Sequence, residues 1–270
     1  MDSNTQFSGM PRGGGVRQTM PMAASTLLRD RVRGDVDVLS RAGLGLDAFL
    51  GEAIASVRRA VPWAGACVAT HDPVTRILTT ARKYGELCGR NESDQDFGRI
   101  EYGAEELTTF QRLLDAGVRA VGMSIHTGGE LERSARMNQL ILPEFEFADE
   151  VRAMFHDGRR IWGGMALFRA GDDGSFVEED VAFLAGLSEM FARGVRTGIL
   201  ARIGEDPGAS VPGAAVVIVD AADRIAQITP AAHARLAGLA IGDHAGDPFS
   251  VVAPLVATAR RLAAGESDQM

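Results

Sequence analysis

Two cysteines, Cys67 and Cys88, and five histidines are the side chains most able to carry nucleophilic, redox or metal chemistry. Cys67 sits inside an apolar run, where a free cysteine usually packs as a small hydrophobe. Cys88 lies in a polar stretch two residues before Arg90, whose charge favours a thiolate, but no resolving thiol stands nearby. His71, His126, His156, His233 and His244 show no metal-ligand spacing. His71 and His156 sit in predicted turns and are expected to be solvated, while His126 ends an apparent strand and could face a pocket. Arg133 and Arg136 are three apart on one helical face. Such a pair is expected to be solvated surface, with anion binding as the sharper alternative. Gly13-Gly14-Gly15 has no strand before it and is not read as a phosphate loop.

The elements that would position these groups are legible in part. Leu46, Phe49, Leu50, Ile54, Val57 and Val61 recur at three- and four-residue steps, so a helix is expected up to Pro62. Ala64 to Thr70 and Ile77 to Ala81 read as strands around the turn His71-Asp72-Pro73. Residues 85–99 read as polar and irregular, Glu105 to Ala116 as a helix, and Ala120 to Ile125 as a strand. Asp157-Gly158 between apolar runs predicts a two-residue hairpin. One long helix is expected from about Val177 past Arg202, opened by a capping box of Ser175 and Glu178 and charged in the sense that the helix dipole favours.

Composition narrows the function. The chain has 270 residues, 46% of them hydrophobic and 24% charged, an ordinary globular balance that supports a core without metal or disulfide staples. Its formal net charge of -8 argues against contact with nucleic acid or an anionic membrane. Free cysteines and the lack of an apolar leader or span point to the cytoplasm. The expected layout is a disordered tail at 1–24, a main domain at 25–203, a Pro/Gly linker at 204–212 and a smaller segment at 213–270.

Several short motifs sharpen this. Gly128-Gly129-Glu130-Leu131-Glu132-Arg133, Asp149-Glu150-Val151-Arg152, Trp162-Gly163-Gly164-Met165-Ala166-Leu167-Phe168-Arg169 and Ser175-Phe176-Val177-Glu178-Glu179-Asp180 occur in that order. Together they resemble the GAF region of actinobacterial LuxR-type transcriptional regulators, over about residues 42–203. The resemblance implies an α/β (α+β) fold, a central antiparallel sheet flanked by helices. The run from Pro212 to Leu236 resembles the start of a PAS domain, though Thr229 stands where that helix usually opens with Asn. The sequence ends at Met270, before the remaining PAS strands and before a helix-turn-helix. Asn91 followed by Glu92 departs from the cyclic-nucleotide GAF signature, and Cys88 followed by Gly89 from the bilin-tethering one.

The function this implies is sensing: a small-molecule signal bound by Phe97, Tyr102, Phe110, Met123, His126, Met137 and Trp162. Aromatic and Met side chains with few polar groups suit a mostly apolar site, and they suit a plain core equally well. The sequence names no cofactor and no metal. No catalytic apparatus is expected, and output would pass through a DNA-binding domain outside this chain. A homodimer formed through the first and last GAF helices is the expected partner. The alternatives are a ligand-free interaction module, or a thiol redox enzyme like the GAF-fold methionine sulfoxide reductases.

Overall fold

The helix expected around Leu46 is a 15-residue one, Leu46–Ala60 (α2), with Leu46, Phe49, Leu50, Ala53, Ile54 and Val57 on its buried face. The computed structural model describes residues 22–103, 105–158, 160–205, 215–222, 224–239 and 248–263. Most of the expected tail and linker lies outside the described residues. Helix α1 (Met22–Arg41) begins inside the stretch read as tail. It lays Val32 and Val36 into the same core as α2.

Five strands form one antiparallel sheet in the order β2-β1-β5-β4-β3. They are β1 (Gly65–His71), β2 (Leu78–Gly85), β3 (Ala120–Gly122), β4 (Phe147–Asp157) and β5 (Arg160–Ala170). The hairpin of β4 and β5 turns at Gly158, whose φ of 56° is the left-handed conformation that a tight hairpin requires. The class expected from the sequence, mixed α/β with an antiparallel sheet flanked by helices, is the one found.

Alternation along the strands divides the sheet into two faces. Ala66, Val68, Val151, Ala153, Phe155, Met165 and Leu167 face a helical layer. Ala166, Phe168 and Phe147 face the opposite side, against Leu140 and Ile141 of a π-helical segment, Met137–Phe145. The helical layer is α1, α2 and α7 (Ser188–Glu205), which pack on one another. The long helix expected from Val177 is in fact two, α6 (Glu178–Ala185) and α7, with Gly186 closing the first.

The expected capping box is also different. Val177 is the N-cap of α6, and its amide donates to Asp180 at 3.3 Å. Asp180 is held in turn by Arg29 of α1 at 2.7 Å and Arg169 of β5 at 2.9 Å. Ser175 pairs instead with Ser124, 3.2 Å away. At the start of α7 the Ser188 hydroxyl donates to the Met154 carbonyl at 2.6 Å and accepts the His156 amide at 3.3 Å, fastening the helix to β4.

The connection from β2 to β3 departs most from expectation. Residues read as irregular contain α3 (Asp94–Glu101). The helix read over Glu105 to Ala116 is only α4 (Phe110–Asp115), capped by the Thr109 hydroxyl. The strand read to Ile125 stops at Gly122, and α5 (Met123–Thr127) follows. Beyond α7, β6 (Val217–Val219) and β7 (Ile225–Ile228) pair, and α8 (Pro230–Leu239) opens with Pro after the Thr229 N-cap. A last helix, α9 (Pro248–Ala263), packs on α3. No helix among the described residues is long and apolar enough to cross a membrane.

Candidate functional site: a cavity backed by buried charge

The face of the sheet away from α2 and α7 cannot close on itself, because small side chains line it. Cys67 and Ala69 of β1, Ala81 of β2 and Ala166 of β5 leave a hollow that Phe97, Gly98, Tyr102 and Phe110 cover from the α3–α4 side. Leu87, Leu140, Ile141, Phe145 and Phe168 complete the wall of a cavity of about 90 Å³. That is room for roughly six to nine waters, or a compact organic molecule.

Polar groups on the wall are few and mostly engaged. The Lys83 ammonium donates to Asp94 at 2.5 Å, to Asn91 at 3.0 Å and to the Arg90 carbonyl. Thr79 and Thr80 each lie 2.7 Å from the Thr70 hydroxyl. The Tyr102 hydroxyl accepts the Leu78 amide at 2.8 Å. Burial raises the Tyr102 phenol above its usual range, so it stays protonated. Burial likewise pushes the Cys67 thiol up to about 12, which leaves it un-ionised at neutral pH. Cys88 is exposed outside the cavity. Among the described residues no group of three His, Cys, Asp or Glu side chains converges as metal ligands would.

Behind Phe110 lies a cluster that sequence reading missed. Glu101, Glu106, Arg136, Glu150 and Arg152 are all buried. Arg136, expected on the surface, grips Glu150 with Nε at 3.0 Å and Nη2 at 2.7 Å. Arg152 meets Glu101 at 2.8 Å and donates to the Thr108 carbonyl at 2.5 Å. Glu106 accepts from the Thr108 hydroxyl at 2.7 Å, Ser134 at 2.8 Å and the Arg136 amide at 2.9 Å. Burial alone would raise the Glu106 carboxyl; Arg136 and these donors outweigh it and hold it down at about 2. Glu101 spends its other oxygen on the Phe110 amide at 2.7 Å. The cluster therefore fixes the residue that roofs one end of the cavity. Only the alternation of Glu150 and Arg152 along an interior strand could have signalled it, since charges on that face must find partners.

The seven residues proposed from sequence separate. Phe97, Tyr102 and Phe110 line the cavity. Met123 and Met137 are buried beside it in the core under α5, with the Thr108 hydroxyl 3.3 Å from the Met123 sulfur. His126 is exposed on α5. Trp162 lies across the sheet among the helices, beneath Arg196. A register shift between Phe155 and His156 explains this. It turns Ile161 toward Phe110 and Met154 and sends Trp162 to the other face. Gly164 makes room for Phe110: a Cβ there would sit 2.5 Å from that ring. His71 is not solvated either. It is the buried end of β1, edge-on to Phe110 at 5.2 Å, and burial, then the Arg152 charge, hold its pKa down at about 3.

No family model matches the chain, and none of the curated proteins compared with it matches. Solved structures do show similarity. Free methionine-R-sulfoxide reductase from Neisseria meningitidis, in complex with its substrate, aligns with 68% of this chain and 97% of its own at 14% identity and TM-score 0.45. The GAF domain of a phosphoenolpyruvate-protein phosphotransferase from Coxiella burnetii aligns with 65% and 97% at 11% identity and TM-score 0.43. A GAF domain/HD domain protein from Geobacter sulfurreducens aligns with 60% and 98% at 11% identity and TM-score 0.42. One expectation is corrected here. The chain was read as having no catalytic apparatus, yet one of the structures it is similar to is an enzyme, so that exclusion does not stand.

Proposed function

We propose that this chain is the small-molecule-sensing region of a bacterial transcriptional regulator of the LuxR type, working in the cytoplasm, and that its signal occupies the cavity between the sheet and the α3–α4 connection. The cavity is the observation that carries the sensing part of this reading. It is concave, walled by Phe97, Tyr102, Phe110, Phe145 and Phe168, and carries a few fixed polar groups, as sites for small organic molecules do. The regulatory setting rests on the motif resemblance over residues 42–203.

A ligand that binds only the folded state stabilises it by mass action, about 2.7 kcal/mol at a hundred times its Kd. Thermal unfolding of the full chain with a panel of small aromatic and heteroaromatic compounds should therefore find members that raise Tm. The same compounds should lose their effect on Ala69→Leu, which fills the cavity floor. A panel with no effect on the wild type, or shifts that persist in the filled variant, would refute the reading.

A second reading, a homodimeric interaction module, draws on Leu27 and Val38 of α1 and Leu200 of α7, which are exposed apolar side chains on the helical layer. Light scattering at high micromolar concentration separates the two, since a monomer removes the second reading and leaves the first.

A further inference from the structure

The polar groups on the cavity wall differ in what they have left to offer a ligand. The Lys83 ammonium already directs its protons to Asp94, Asn91 and the Arg90 carbonyl, so an anionic ligand would have to break one of those bonds. Thr79 and Thr80 sit on the Thr70 hydroxyl. Tyr102 is different. Its oxygen accepts the Leu78 amide, and among the described residues nothing accepts its own proton. A buried hydroxyl with an unspent proton is a donor waiting for an acceptor. Around it the wall is aromatic and aliphatic: Phe97, Phe110, Ile141 and Phe168.

Resting on the ligand-binding reading above, we propose that the cavity selects small neutral molecules with an aromatic or aliphatic body and one hydrogen-bond acceptor, such as a carbonyl oxygen or ring nitrogen, and that Tyr102 donates the bond that recognises them. The Leu78 amide fixes the phenol oxygen of this cavity-lining residue and leaves its proton as the group a ligand acceptor can take. Ser93, the other hydroxyl-bearing residue without an assigned partner on the wall, adjoins Asp94 in sequence and serves as the control.

Acetophenone and α-methylstyrene share one skeleton of nine non-hydrogen atoms and differ in a carbonyl oxygen against a methylene, so the ratio of their affinities reads the hydrogen bond at nearly constant fit. Calorimetric titration of the full-length wild-type chain should favour acetophenone by about threefold to tenfold, the worth of one net hydrogen bond. Tyr102→Phe should bring the ratio to one or below, since the probe's carbonyl would then be buried unmet, and Ser93→Ala should leave it unchanged. If Tyr102→Phe does not fold, 3-fluorotyrosine in a Tyr84→Phe background gives a more acidic donor at the same place and should widen the ratio. Equal binding of both probes to the wild type, a preference that survives Tyr102→Phe, one that disappears in Ser93→Ala, or one that fluorination does not widen overturns the inference. Of these, equal binding leaves the ligand-binding reading standing, whereas wild-type protein that binds neither probe removes the inference and counts against that reading as well.

Discussion

The Arg152 guanidinium lies 3.7 Å over the centre of the Phe110 ring. The same arginine pairs with Glu101, which accepts the Phe110 amide. One side chain on the interior strand β4 thus holds both the ring and, through Glu101, the backbone of the residue that closes the cavity. Stacked cations of this kind contribute about 2 kcal/mol or more when desolvated.

Arg136→Met should destabilise the protein by about 3–5 kcal/mol, because Glu106 would remain buried without its cation and Glu150 would keep only Arg152, 3.7 Å away. Urea unfolding at pH 7 measures this, and a loss below about 1 kcal/mol would show that the cluster is not held by charge pairing.

The same cluster fixes a dependence on acidity. Glu106 ionises near 2 in the folded chain against 4.5 ordinarily. A carboxylate depressed in this way contributes stability that is complete above its unfolded value and disappears as pH falls toward its folded one. Stability should therefore decline between about pH 5 and pH 2, and more shallowly in Glu106→Gln, even though that variant starts from a lower value. Unfolding midpoints across that range provide the test; parallel curves for the two proteins would contradict it.

The two thiols should react very differently. Cys67 is held protonated on the cavity wall, its pKa near 12, whereas Cys88 is exposed. Iodoacetamide at pH 7.5, followed by mass spectrometry, should label Cys88 well before Cys67, and denaturant should abolish the difference. Native labelling of Cys67 at the rate of Cys88 would contradict the assigned burial.

Gly164→Ala should cost about 1–3 kcal/mol, since the new methyl would meet Phe110 at 2.5 Å and force the ring outward. The cavity should lose its fit for compact aromatic probes in the same variant. A crystal structure with Phe110 unmoved would exclude this account of the glycine.

What the sequence made legible follows from where its signals are local. Asp157-Gly158 between apolar runs specified the β4–β5 hairpin, and the three- and four-residue recurrence from Leu46 specified α2. Helix α3 escaped because only Phe97 and Ile100 are apolar among its eight residues, so no stripe stands out. The cavity aromatics Phe97, Tyr102 and Phe110 were named from type and position, while Trp162 was placed on the wrong side of the sheet because one register shift reverses the facing of every residue near it. Arg136 and His71 were assigned to water from a possible helix face and a predicted turn. Their burial is set by partners distant in sequence, Glu150 of β4 for one and Phe110 for the other.

The joint at Ser188 has a mechanical consequence. Its hydroxyl pins the first turn of α7 to Met154 and His156 on the strand that carries Glu150 and Arg152. The helix runs 18 residues from that joint, so it is a rigid arm about 27 Å long. Tilting it by about five degrees at the pinned end would carry the far end through about 2 Å, comparable to the helix shifts by which switching proteins repack their interfaces. A displacement of this size at the joint would thus have to be shared by α1 and α2, which pack along the same helix.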